Sequence, residues 1–268
     1  MTTVRPPAVA GMFYSAEPVQ LARDVQRFLA KALPYDLVAK ALIVPHAGYI
    51  YSGSIAATAY ASLAPIAARI CRVVLLGPTH RVAVRGLALP GVEAFDTPLG
   101  RVMLDTASAR TLAHLPQVVV SPQAHEQEHS LEVQLPFLQS VLGDFALLPL
   151  AVGMATPEEV AEVLEAVWGG DETLIVISSD LSHFLPYAAA QRVDEETVES
   201  ILKLRQPLTH EQACGGTPIN GLLIAARQHH LTPHLLDLRN SGDTAGTRDR
   251  VVGYSAFAFT QEQDHARH

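Results

Sequence analysis

Cysteine is nearly absent: the 268 residues contain 2, Cys71 and Cys214. That excludes a disulfide framework and points to a reducing, cytoplasmic setting. Aromatic side chains are scarce, at 6% with a single Trp. Positive charge is in deficit, since 19 Lys+Arg against 27 Asp+Glu leave a formal net charge of −8. No basic run stands out, so a general nucleic-acid binder is excluded. No apolar run approaches the roughly 20 residues of a membrane-spanning helix. Met1–Gly11 also lacks the charged-then-apolar order of a signal peptide. Motifs are missing too. There is no Gly-x-Ser-x-Gly nucleophile elbow, no phosphate-binding Gly-Lys-Ser/Thr loop and no Gly-x-Gly-x-x-Gly dinucleotide turn.

Hydrophobic material is plentiful, at 49%, enough for a sizeable core. No solenoid repeat, low-complexity linker or composition shift divides the chain. One α/β domain over residues 1–260 is expected, with a disordered tail at 261–268. After an extended Arg5–Tyr14 segment, Leu21, Val25, Phe28 and Leu29 recur at helical spacing behind Pro18. Further helices are expected from Ser54 towards Pro65, from Asp105 to about His114, and over 188–204 and 217–229. Thr156-Pro157-Glu158-Glu159 is a capped helix start. Short strands are expected at 86–89, 101–104, 118–120, 146–152, 234–239 and 251–259. Ser130 is a plausible N-cap for a helix bent by Pro136.

The chain is organised around Ala41–Gly53. Ala41–Val44 is an apolar strand-former run that stops at Pro45, and His46 follows. Val73–Leu76 repeats this pattern, ending Gly77-Pro78-Thr79-His80. Leu174–Ile177 does so again, ending Ser178-Ser179-Asp180-Leu181-Ser182-His183. Ligand sites in open α/β sheets lie at the carboxyl ends of strands. Three such ends in one sheet would bring His46, His80, Asp180 and His183 to a single crevice.

Imidazoles at two strand ends plus a third ligand would make a metal site with open positions. Cys214, Asp180 and His183 are candidates for the third. Cys214 precedes two glycines and a helix start, which favours a thiolate; it reads equally well as a small buried hydrophobe. His183 could act as a proton carrier beside the metal. Asp180 could orient a His ring or hold water, or cap the following turn. Glu128 and His129 could reach the crevice or lie in a solvated polar loop. Asp243 reads as a turn residue, and Cys71 as structural.

Six ordered motifs carry a resemblance: Pro45–Gly53, Gly77–His80, Thr97–Gly100, Glu128–Glu132, Ser178–His183 and Cys214-Gly215. Together they resemble the Memo family from about Arg5 to Phe259. The resemblance implies a single-domain αβα sandwich with a central mixed, mostly parallel sheet, like that of the class III extradiol dioxygenases. It implies metal ligation by His46, His80 and Cys214, with His183 and His129 on the substrate side; His183, His129 and Asp180 are the catalytic candidates, His183 moving protons with help from Asp180 or His129. Prokaryotic members of the family often belong to a system with a radical-SAM protein, and the animal member mediates cell motility. The dioxygenases use two His and a carboxylate; here a softer, oxidisable thiol stands in the carboxylate's place.

The expectation is a redox protein holding iron or copper and a small unknown substrate. A zinc-dependent hydrolase and a non-enzymatic protein holding a peptide or partner in the cleft are the alternatives. Tyr14, Tyr49 and Tyr51 could line such a groove.

Overall fold

The computed structural model describes residues 2–261. In chain order its elements are β1 (Val4–Arg5), α1 (Pro18–Leu29), β2 (Ala39–Val44), α2 (Tyr49–Ala61) and β3 (Arg72–Pro78). Next come β4 (Leu87–Leu89), β5 (Ala94–Thr97), β6 (Gly100–Met103), α3 (Thr106–Leu112), β7 (Val118–Val120), α4 (Pro122–Glu126) and α5 (Leu135–Val141). The remainder is β8 (Ala146–Val152), α6 (Pro157–Ala166), β9 (Thr173–Ser178), β10 (His183–Leu185), α7 (Tyr187–Leu202), α8 (Gly216–Gln228), β11 (Leu231–Asn240) and β12 (Val251–Gln261).

The large sheet runs β10-β12-β2-β9-β3-β8-β4-β7, with β11 also paired to β12. Its centre, β2-β9-β3-β8, is parallel throughout, and antiparallel pairing is confined to the flanks. β2 and β9 are buried along their whole length, which is why they read as unbroken apolar runs. Alternate residues serve opposite faces. Leu42, Val44, Val73 and Leu75 pack with α1, α2 and α5, whereas Ala41, Ile43, Val74 and Leu76 pack with α6, α7 and α8. The result is the expected αβα sandwich with a mixed sheet. A separate small sheet, β1-β5-β6, ties the amino terminus to the molecule.

Local rules account for several boundaries. Pro18 opens α1, whose Leu21 and Val25 are fully buried. Thr156 and Glu159 form the reciprocal capping box that starts α6. Other expectations are corrected. The helix after His46 starts at Tyr49, not Ser54, because Gly48 already takes the cap position. Ser130 caps no helix: its hydroxyl donates to the Pro78 carbonyl, and a 3-10 turn at Glu132–Gln134 leads into α5. The supposed extended opening is a strand at Val4–Arg5 followed by tight turns, with Phe13 N–H on the Val9 carbonyl. Gln261 closes β12 rather than opening a tail; residues 262–268 of that expectation lie outside the described residues.

Candidate metal centre

Neighbouring strands assemble the site. His46 and His80 each stand two residues past the end of β2 and β3, and β9 lies between those strands. Its last residue, Ser178, and the following Asp180 therefore lie beneath the same edge. Cys214 arrives from the start of α8, and Gly215 makes this approach possible. A β-carbon there would come within 2.6 Å of Ser179.

The imidazoles of His46, His80 and His129 each offer a ligand atom, all within 4.8 Å of one another. Their ring centroids are 5.2 Å apart for His46–His80, 5.4 Å for His46–His129 and 4.6 Å for His80–His129. Cys214 Sγ lies 3.3 Å from His46 Nε2 and 3.7 Å from the Asp180 carbonyl oxygen. The thiol thus borders the triad through His46.

Hydrogen-bond counting fixes the tautomers. The Ser178 hydroxyl gives its one proton to the Ser130 carbonyl at 2.6 Å and accepts from the Gln134 amide at 2.8 Å. Its contact with His46 Nδ1 at 2.9 Å must then be accepted from an N–H. His46 Nε2 therefore carries the ring's lone pair, 3.3 Å from Cys214 Sγ. At His80 too the proton sits on Nδ1, which lies 2.9 Å from the Glu128 carboxylate, an acceptor only. Glu128 also accepts backbone N–H bonds from His80, His129 and Ser130. Burial pushes the Glu128 carboxyl up, but the His80 side-chain bond and the backbone N–H groups of His80 and Ser130 outweigh it and hold the group at about 2. A carboxylate on one imidazole nitrogen that frees the other is the usual support of a metal-binding histidine.

Burial, followed by the neighbouring imidazoles, drives His46 well below its ordinary value. Burial takes His129 down to about 4, against the pull of Glu128. Burial and then the nearby Asp180 push the Cys214 thiol up to about 12. These are neutral nitrogen donors beside a protonated thiol, a set suited to zinc, copper or iron.

Asp180 is buried and donates nothing to the cleft: its carboxylate accepts the His46 backbone N–H at 2.7 Å. Burial raises it to about 7, opposed by the His46 and Ala47 N–H groups. His183 opens β10 and lines a cleft of about 1350 Å³ with Thr79, His80, Met154, His210 and Cys214. Burial lowers its pKa. The structure therefore gathers His46, His80, His129 and Cys214, with His183 across the cleft and Asp180 behind His46. Asp243 is a turn residue, accepting the Asn240 N–H.

The solvated-loop reading of Glu128 and His129 is overturned, because Glu128 is 3% exposed. Arg5 buries that loop, donating to the carbonyls of His125 and Glu128 and to Glu132 at 2.7 Å. Glu132 in turn accepts from the Ala8 and Val9 N–H groups and the Tyr14 hydroxyl. Sequence reading missed this cluster and the supporting roles of Ser178 and Gln134. The signal was the spacing Glu128-His129-Ser130-Leu131-Glu132, acids on either side of a His within five residues.

A family model described as Memo-like protein matches residues 5–258. A MEMO1 family protein of Sulfolobus acidocaldarius is 33% identical, covering 96% of this chain and 99% of its own. One from Methanosarcina barkeri is 35% identical, covering 94% and 98%. In fold, the chain is similar to the crystal structure of an uncharacterized protein of Escherichia coli K12. The TM-score is 0.51 at 13% identity, over 81% of this chain and 98% of that one. With the match running from Arg5 almost to the end of β12, the chain belongs to the Memo-like protein family.

Proposed function

We propose that this protein is a metal-dependent redox enzyme acting on a small oxidisable molecule held in the cleft. One observation carries the reading: three imidazoles with ligand atoms within 4.8 Å of one another meet beside a cleft of about 1350 Å³. His46 and His80 hold the metal. Either His129, which stacks on His80, or Cys214, 3.3 Å from His46 Nε2, completes the donor set. Iron or copper would supply one-electron chemistry there. His183 carries protons between the cleft and solvent. Asp180 acts through His46, fixing the backbone that presents the ring.

A second reading, zinc-activated water attacking a hydrolysable substrate, draws support from the all-imidazole set, since three His donors also suit catalytic zinc. Elemental analysis of protein purified without oxygen or chelators separates the two. Near-stoichiometric iron or copper in wild type, lost in His46→Ala and His80→Ala, is the expected result. Comparing His129→Ala with Cys214→Ser identifies the third donor. Zinc with the same pattern would favour hydrolysis. A wild type that is empty and cannot be reloaded would sink both readings and favour a peptide-binding cleft.

A further inference from the structure

Phe13 belongs to the amino-terminal turn, far in sequence from every candidate ligand. Its ring centroid nonetheless lies 4.6 Å from that of His129, with the planes tilted by 41°. The backbone that carries this ring is pinned at both ends. Phe13 N–H donates to the Val9 carbonyl at 2.9 Å, and the Phe13 carbonyl accepts the Tyr49 N–H at 2.8 Å. Tyr49 opens α2, directly after the turn bearing His46. Val9 N–H is held in its turn by Glu132, the fully buried partner of Arg5. Phe13 is therefore fixed jointly by the His46 turn and by the loop that carries His129.

His129 needs such a neighbour. Its Nδ1 has one charged contact, Glu128 at 3.3 Å, longer than the 2.9 Å that the same oxygen makes to His80. Glu128 Oε1 is already taken by His80 Nδ1 and two backbone N–H groups. Ring contacts must supply the orientation that hydrogen bonds supply at His46 and His80. His80 gives one, nearly parallel at 27°, His46 a second, edge-on at 5.4 Å, and Phe13 the third, as close as His80 at 4.6 Å.

We propose that Phe13 is a positioning residue of the metal centre, holding the His129 imidazole in the plane that lets it act as a donor. The proposal rests on the metal reading above for its consequence, although the ring contact exists without metal. Hydrogen-bonding supports of metal-binding histidines are worth roughly 10–100-fold in metal affinity, and a ring contact that takes their place is set at the lower end of that range.

The test titrates metal-free, full-length protein with Co²⁺, following the visible ligand-field bands, in wild type, Phe13→Leu, Phe13→Ala and Phe13→Tyr. Phe13→Leu keeps apolar volume without a ring, so it guards against a misfolded Phe13→Ala. The Leu variant is expected to bind Co²⁺ about tenfold more weakly with an altered band envelope, and the Tyr variant to match wild type. In parallel, carbethoxylation of His129 is timed by peptide mass mapping without metal. It is expected to run several-fold faster in Phe13→Leu. Unchanged Co²⁺ affinity, spectrum and modification rate in the Leu variant would overturn the proposal. If wild type binds no Co²⁺, the metal reading falls, and the His129 modification rate alone decides whether Phe13 positions the ring.

Discussion

Asp194 lies on α7 with its carboxylate turned under the loop that leads to His183, where it accepts the Ser182 N–H at 3.0 Å. β12 passes so close that a β-carbon on Gly253 would fall 2.1 Å from Asp194 Oδ2. Asp194 is 2% exposed, and burial raises it from 3.8 to about 6 against the Ser182 hydrogen bonds. A carboxyl whose folded pKa exceeds its unfolded one binds its proton more tightly when folded. Its contribution is complete below about 3.8 and is lost as pH rises through about 6. The loss amounts to about 2–3 kcal/mol at neutral pH. Asn keeps the acceptor and does not titrate. Asp194→Asn should therefore gain stability relative to wild type as pH rises from 4 to 7, read as the difference in Tm. Two melting profiles offset by a constant would remove Asp194 as the source. Sequence alone could not single this residue out, because an Asp in an amphipathic helix looks solvated until the facing strand is known.

At the scale of elements, β3 and the loop 128–131 depend on a missing side chain. A β-carbon at Gly77 would lie 2.8 Å from Ser130 Oγ and 3.0 Å from Leu131 Cδ2. Ser130 cannot retreat freely, since its hydroxyl bonds the Pro78 carbonyl and its own carbonyl accepts from Ser178. Gly77→Ala should push the loop off the sheet, costing about 1–3 kcal/mol and weakening Co²⁺ binding through both Ser178–His46 and Glu128–His80. Wild-type denaturant midpoint and metal affinity in this variant would refute the account. The central strands were readable because burial on both faces leaves an unbroken apolar run, as in Val73–Leu76. That His46, His80 and Cys214 come together was readable because each sits at a strand end or helix start. The loop around His129 was not. Its burial depends on Arg5, more than 120 residues earlier, and no local pattern announces such a partner. β5 and β10 were missed for a similar reason, being short strands defined by what they pair with.

At the scale of the whole molecule, the candidate donors arrive from separate parts of the chain: the ends of β2 and β3, the loop before α5, and the start of α8. An unfolded chain cannot present them together, so a metal bound to this site binds the folded state selectively. At a free metal concentration 100 times Kd, that linkage stabilises the fold by about 2.7 kcal/mol. For a domain of this size it corresponds to a rise in Tm of about 5 °C. Protein stripped with chelator and reloaded with its native metal should show this rise, and His46→Ala should show none. His46 belongs to either donor set, whereas His129→Ala and Cys214→Ser each spare one of them. The variant with the smaller shift therefore names the third donor independently of elemental analysis. Stoichiometric metal that leaves the melting temperature of wild type unmoved would mean that it sits elsewhere, and the convergence of strand ends on one centre would lose its thermodynamic support.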